Sequence, residues 1–90
     1  MRADARPQFG KGVKLRRDQD GSVMLLVPEG ALVLNRPAAV ALDLVDGERT
    51  LSQIVDAVVQ QFEVDPLRAR ADISDLFDRL AERKFVRCLP

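Results

Sequence analysis

The sequence predicts an α+β domain, a three-stranded antiparallel meander followed by three helices in a small winged helix-turn-helix-like arrangement. Three observations predict it. Short apolar stretches divided by turn residues fill positions 13–34. The apolar period then changes from two to 3.6 at Asn35. Cap signatures at Thr50 and Asp65 each open a longer amphipathic run. Strands first and helices after is an α+β order, and a hairpin beside a three-helix cluster is the winged-helix shape.

The elements follow in order. Positions 1–12, MRADARPQFGKG, mix charge with Pro7, Gly10 and Gly12 and have almost no apolar period. They are expected to form a flexible arm, dispensable for folding, ahead of a domain at 13–90. Positions 13–17 alternate weakly as a first strand, and Asp18-Gln19-Asp20-Gly21 is a turn. The apolar run at 22–27 predicts a second strand buried on both faces. Pro28-Glu29-Gly30 turns the chain into a third strand at 31–34. Asn35 is a good N-cap, with Pro37 tolerable in the first turn of a short buried helix over 38–45 that Gly47 stops. Thr50 and Gln53 form a capping box for a second helix whose Leu51, Ile54, Val55, Val58 and Phe62 share one face. Asp65-Pro66 opens a third helix over 66–83, with a stripe of Ala69, Ile73, Leu76, Phe77 and Leu80. An apolar tail at 85–89 is placed to fold back on the core.

Composition excludes several functions. Ninety residues make one domain with one modest core, and with no Trp, no Tyr and four Phe that core is mostly aliphatic. There is no histidine, which removes the usual general base near neutral pH and the commonest metal ligand. Cys88 stands alone, so no intrachain disulfide or zinc site is available, and without a His partner it reads as a plain thiol. No catalytic residue, cofactor or metal is expected. Asp72, Asp75 and Asp78 recur every three residues, but Arg79, Arg83 and Lys84 lie within a turn or two, which predicts a salt-bridged solvent face.

Charge weighs against nucleic acid. The chain balances 14 cations against 14 anions, and the second helix carries Asp56 and no Lys or Arg. A winged-helix DNA reader needs a basic recognition helix and phosphate contacts, so that alternative is the weaker one. No apolar run reaches the length of a membrane span and no signal segment opens the chain, so no membrane is expected and a cytoplasmic location is.

One structural feature points to peptides. The third strand lies at the end of its meander and is therefore an edge, with backbone donors and acceptors left over. Such an edge takes an extended peptide as an added strand.

Several stretches taken together resemble the PqqD family. They are Leu25-Leu26-Val27-Pro28-Glu29-Gly30, Leu32-Val33-Leu34-Asn35, Ala38-Ala39, Leu42-Asp43-Leu44-Val45-Asp46-Gly47-Glu48-Arg49-Thr50 and Ile54-Val55, followed by Asp72-Ile73 through Leu76 to Leu80 and Val86. The likeness runs over about 13–86 without large gaps. It departs at Lys84, where the family commonly has Gly. The resemblance implies a peptide chaperone, not an enzyme, that binds the ribosomal precursor peptide PqqA. It would present that peptide to the radical S-adenosylmethionine enzyme PqqE in pyrroloquinoline quinone biosynthesis. The same module serves other modified-peptide pathways as a leader-recognition element, and the sequence does not separate the two. It also implies that the peptide adds beside the third strand, at Ala31, Leu32, Val33 and Leu34, facing Arg68, Asp72, Ile73, Asp75, Leu76 and Arg79 of the last helix. Core packing is the competing reading for Leu32, Leu34, Ile73 and Leu76. The short hinge at Pro28 to Gly30 leaves a homodimer by strand exchange open.

Overall fold

Turn chemistry shapes the sheet. In a computed structural model describing residues 1–89, strands β1 (Arg6–Phe9), β2 (Lys14–Arg17), β3 (Val23–Val27) and β4 (Gly30–Val33) precede helices α1 (Arg36–Asp43), α2 (Leu51–Phe62) and α3 (Pro66–Glu82), and β5 (Val86–Leu89) ends the fold. Between β2 and β3 the Asp20 carboxylate accepts from the Ser22 N–H at 2.9 Å and the Ser22 hydroxyl at 2.7 Å, and Gly21 takes the positive φ the turn needs (90°). Those Ser22 bonds hold the Asp20 carboxyl below the usual carboxylate range. Between β3 and β4 the turn is two residues, Pro28 and Glu29, and Val27 pairs with Gly30 across it.

The meander has the order β2-β3-β4, as predicted. Leu15, Leu25 and Leu32 face one another in register across it and point at the helices. The expectation that β3 is buried on both faces is corrected. Only Leu25 is fully buried, and the other β3 residues are half-buried, because the helices cover one side of the sheet alone. The core joins Leu25 to Leu42 of α1, Leu51, Ile54 and Val58 of α2, Ile73 and Phe77 of α3, and Phe85 and Val86.

Helix ends follow the local chemistry. The Asn35 side chain accepts from the Ala38 N–H at 2.9 Å, so α1 starts two residues earlier than its apolar run suggests and ends at Asp43, four residues short of Gly47. Thr50 and Gln53 form the capping box in full, with Gln53 accepting from the Thr50 N–H at 2.8 Å. Between α1 and α2 the Asp46 carboxylate accepts from the Arg49 and Glu48 N–H groups, which hold it below the usual carboxylate range. The Arg49 guanidinium returns to the Leu44 carbonyl and to Asp46. The Asp-Gly-x-Arg-Thr segment is thus a structural clasp.

Residues 1–12 require a correction. They are not an arm apart from the domain. β1 pairs antiparallel with β5, Arg6 opposite Leu89 and Phe9 opposite Val86, forming a second sheet that the sequence reading did not anticipate. The physical reason lies in the opening turn of α2, whose first N–H groups have no partner inside the helix. Leu51 N–H donates to the Ala5 carbonyl at 2.8 Å and Ser52 N–H to the Ala3 carbonyl at 3.0 Å, while Gly47 N–H reaches the Pro7 carbonyl at 3.0 Å. The N-terminal segment therefore caps α2 with its own carbonyls. Ala5 and Pro7 are buried in doing so, and the Met1 amine contacts Ser74 and Asp78 on α3. Gly10 lies where the chain passes closest to the end of α3: a Cβ there would stand 2.3 Å from the Lys84 carbonyl oxygen.

α3 ends in a Schellman motif. Phe85 N–H donates to the Leu80 carbonyl at 2.9 Å and Lys84 N–H to the Ala81 carbonyl at 3.0 Å. Lys84 occupies the left-handed position (φ 64°), which a side chain disfavours and Gly adopts freely. Lys84→Gly is expected to raise stability by about 0.5–1 kcal/mol, a gain of a few degrees in Tm, after its greater unfolded-state freedom is counted. A thermal melt showing a loss instead would mean that the lysine side chain holds the turn.

Candidate functional site

The β4 edge is built by alternation. Leu34 N–H donates to the Val23 carbonyl at 3.2 Å, so position 34 faces β3. In an antiparallel ladder the backbone groups alternate sides, so Leu32 and Gly30 also face β3, and Ala31 and Val33 turn their N–H and C=O outward. No further strand pairs with β4 among the described residues. Side chains alternate with the backbone. Leu32 and Leu34 are half-buried against the core, whereas Ala31 is exposed and Val33 is 81% exposed.

α3 supplies the facing wall. β4 and α3 do not pack closely on one another. Beyond the end of β4 lies a cleft of about 320 Å³ lined by Asp72, Ile73, Asp75, Leu76 and Arg79 of α3 and by Asn35, Pro37 and Ala38 at the start of α1. Ile73 is 5% exposed and serves as both core and cleft floor, and Leu76 is half-buried beside it. The Arg79 guanidinium bridges Asp75 at 3.0 Å, one turn back along α3. Arg68 pairs loosely with Asp72 at 3.9 Å, and both are exposed. Pairs this exposed add little to stability and exchange partners freely, so the charges remain available to a ligand.

The structure therefore brings together five of the ten residues singled out, Asp72, Ile73, Asp75, Leu76 and Arg79. Ala31 to Leu34 form the strand that runs toward the cleft without lining it, and Arg68 lies on α3 outside it. Sequence reasoning missed Asn35, Pro37 and Ala38. The available signal was the lack of any linker: a helix capped at the residue after a strand must set its first turn at that strand's end. The site offers backbone pairing, an apolar floor and a mixed-charge rim, which is equipment for holding an extended peptide and holds no nucleophile–base pair.

Comparison with known proteins covers most of the chain. The family described as Coenzyme PQQ synthesis protein D (PqqD) matches residues 22–86. A PqqA binding protein of Xanthomonas axonopodis pv. citri (strain 306) is 33% identical over 85 residues, which cover 93% of this chain and 92% of that one. The bifunctional coenzyme PQQ synthesis protein C/D of Methylorubrum extorquens is 37% identical over 79 residues, 87% of this chain and 21% of that protein. The solution NMR structure of the PqqD truncation of Methylobacterium extorquens PqqCD, described as a functional and stand-alone RiPP recognition element, superposes with a TM-score of 0.77 at 35% identity. That superposition covers 94% of this chain and 90% of the other. On the family match across most of its length and on these relatives, the chain belongs to the PqqD family.

Proposed function

We propose that this protein is a peptide chaperone that binds the precursor peptide PqqA as an added strand on β4 and presents it to the radical enzyme PqqE in pyrroloquinoline quinone biosynthesis. The observation that carries the reading is the unpaired edge at Ala31 and Val33, whose backbone groups face away from β3 next to the α3 cleft. Membership of a family with a relative named for PqqA binding supports the choice of peptide, and the likeness to a RiPP recognition element supports the mode. Main-chain bonds to β4 give affinity in this scheme. The cleft floor at Ile73 and Leu76 reads one apolar side chain of the peptide, and Arg79 with Asp72 and Asp75 reads charge. The chain has no turnover of its own, and the chemistry belongs to the partner enzyme. No helix among the described residues is long and apolar enough to cross a membrane, in keeping with work in the cytoplasm beside a ribosomal product.

The test is a titration of isotope-labelled protein with synthetic PqqA, following amide signals. A short edge makes a small interface, so saturation on the order of micromolar is expected. Shifts should cluster at residues 31–35 and 68–80, and the peptide mass should stay unchanged after incubation without PqqE. Shifts confined to residues 51–62 would place the site elsewhere. Saturation by a leader from another modified-peptide pathway, with PqqA inert, would move the protein to that pathway.

A further inference from the structure

The two edges of the β2-β3-β4 sheet carry opposite chemistry. β2 reads Lys-Leu-Arg-Arg, and Lys14 and Arg16 stand exposed on the face turned away from the helices. β4 reads Gly-Ala-Leu-Val and bears no charge on either face. Proteins ordinarily guard an open edge with a charged side chain, above all Lys, or with Pro. β2 is guarded in this way. β4 instead ends in Val33, a β-branched apolar residue left 81% exposed.

Val33 has apolar company on that face. The register sets it opposite Met24 and sets Ala31 opposite Leu26, and all four lie on the outer side, since Leu25 and Leu32 between them point at the helices. Leu34 N–H bonds the Val23 carbonyl, so Val33 with Met24 and Ala31 with Leu26 are the pairs without mutual backbone bonds, in which side chains approach most closely. Met24 and Leu26 are half-buried and Ala31 is exposed. An apolar strip therefore runs across β3 to the β4 edge, where no further strand continues it among the described residues. A strand laid on β4 would carry the strip on. Side chains alternate between faces along a strand, so the residues on either side of a cleft-facing one would stand beside Val33 or Ala31.

We propose that the precursor is read on both faces of the strand it adds: its bound segment carries apolar side chains at consecutive positions, one for the α3 cleft and the next for Val33 on the outer face. The inference rests on the β4 reading above and goes further by naming the class of sequence bound. A strand covered on one face alone alternates apolar with polar residues, and a ligand read only by the cleft would do the same. Val33 with Met24 behind it favours a β-branched or aromatic residue as its cross-strand neighbour. Ala31 beside Leu26 leaves room for a bulkier side chain two positions along. A charge at either outward position would lie against apolar surface and lose part of its hydration.

The experiment pairs charges across the junction. Val33→Glu keeps the backbone N–H, so the edge stays intact, and its side chain is exposed, so Tm should hold within a few degrees. It is expected to weaken synthetic PqqA about fivefold or more in a calorimetric titration. Val33→Thr, close in shape, is the milder variant and should act in the same direction. PqqA peptides, each with Lys at one position of the bound segment, are then titrated into the unchanged protein and into Val33→Glu. The peptide with Lys beside residue 33 should bind the unchanged protein about fivefold more weakly than PqqA does and recover on Val33→Glu, where it meets an opposite charge. Lys at the adjacent position should show no such recovery, because its side chain points to the other face. Normal PqqA affinity for Val33→Glu, or a set in which no Lys peptide recovers on it, would overturn the proposal, and loss of binding with Val33→Pro would then still keep β4 as the docking edge. Normal binding by Val33→Pro as well would bring down the β4 reading itself. Concentration-dependent shifts at 31–34 without peptide would make a second copy the occupant of this face and overturn the proposal too.

Discussion

Removing residues 1–12 is expected to lower Tm by at least about 12 °C, corresponding to roughly 3–5 kcal/mol at about 4–8 °C per kcal/mol for a domain of this size. The loss combines several terms. The β1–β5 ladder disappears, and with it the Ala3, Ala5 and Pro7 carbonyls that receive the N–H groups of Ser52, Leu51 and Gly47. Each such bond contributes on the order of 1 kcal/mol net. Buried Ala5 and Pro7 are deleted, and Phe85 and Val86, 3% and 2% exposed in the intact fold, are uncovered. Against a total stability of about 5–15 kcal/mol the cost is large. Gly10→Ala probes the same junction in the full chain: its Cβ would meet the Lys84 carbonyl oxygen at 2.3 Å, where backbone has to move on both sides. A calorimetric melt of the truncated protein within a few degrees of the full chain would show that β1 contributes nothing.

Val33→Pro is expected to weaken the precursor peptide at least tenfold while the domain stays folded. The separation of the two effects comes from the ladder. Val33 directs its N–H away from β3, so proline there removes no bond within the sheet. The residue before it, Leu32, is already extended, which is the conformation a following proline demands. What is lost is one donor to the added strand, and the ring projects into that strand's path. Tenfold corresponds to about 1.4 kcal/mol, the size of one good interfacial hydrogen bond. Arg79→Glu acts on the rim and should weaken an acidic leader several-fold, with the effect fading as salt is raised. Calorimetric titration of each variant reads the change, and normal affinity with Val33→Pro would exclude β4 as the docking edge.

The parts of this fold legible in the sequence are those determined within a few residues. Thr50 with Gln53 and Asp65 with Pro66 set the starts of α2 and α3 because a cap is a local bond between neighbours. The meander was legible because its turns, at Asp18 to Gly21 and at Pro28 and Glu29, carry their own chemistry. β1 and β5 were not. Each is four residues long, and the only position of β1 that is deeply buried is Pro7, a residue read locally as a breaker. Their pairing joins positions at opposite ends of the chain, which no local period reports. The run at 22–27 misled for a related reason: periodicity shows that residues are apolar, and the absence of helices on the second face of the sheet is a tertiary fact. On the site, the wall at Asp72 to Arg79 was suggested by the family resemblance, and helical spacing alone showed only that Asp72, Asp75, Leu76 and Arg79 lie close on α3. Asn35, Pro37 and Ala38 were read as capping residues and also line the cleft.

The union of β1 with β5 also governs how the chain comes to be folded. The hairpin turns of the meander and the caps of the helices rest on contacts between neighbours and can form as soon as they are synthesised. The β1–β5 sheet cannot, because Arg6 must wait for Leu89. Closing a loop of that span is entropically unfavourable before any contact rewards it, and folds rich in such distant pairings form slowly. During synthesis the growing polypeptide therefore carries a formed β4 edge while its first strand is still unmatched. The apolar surface left uncovered in that interval is open to premature association until β5 pairs with β1 and seals it.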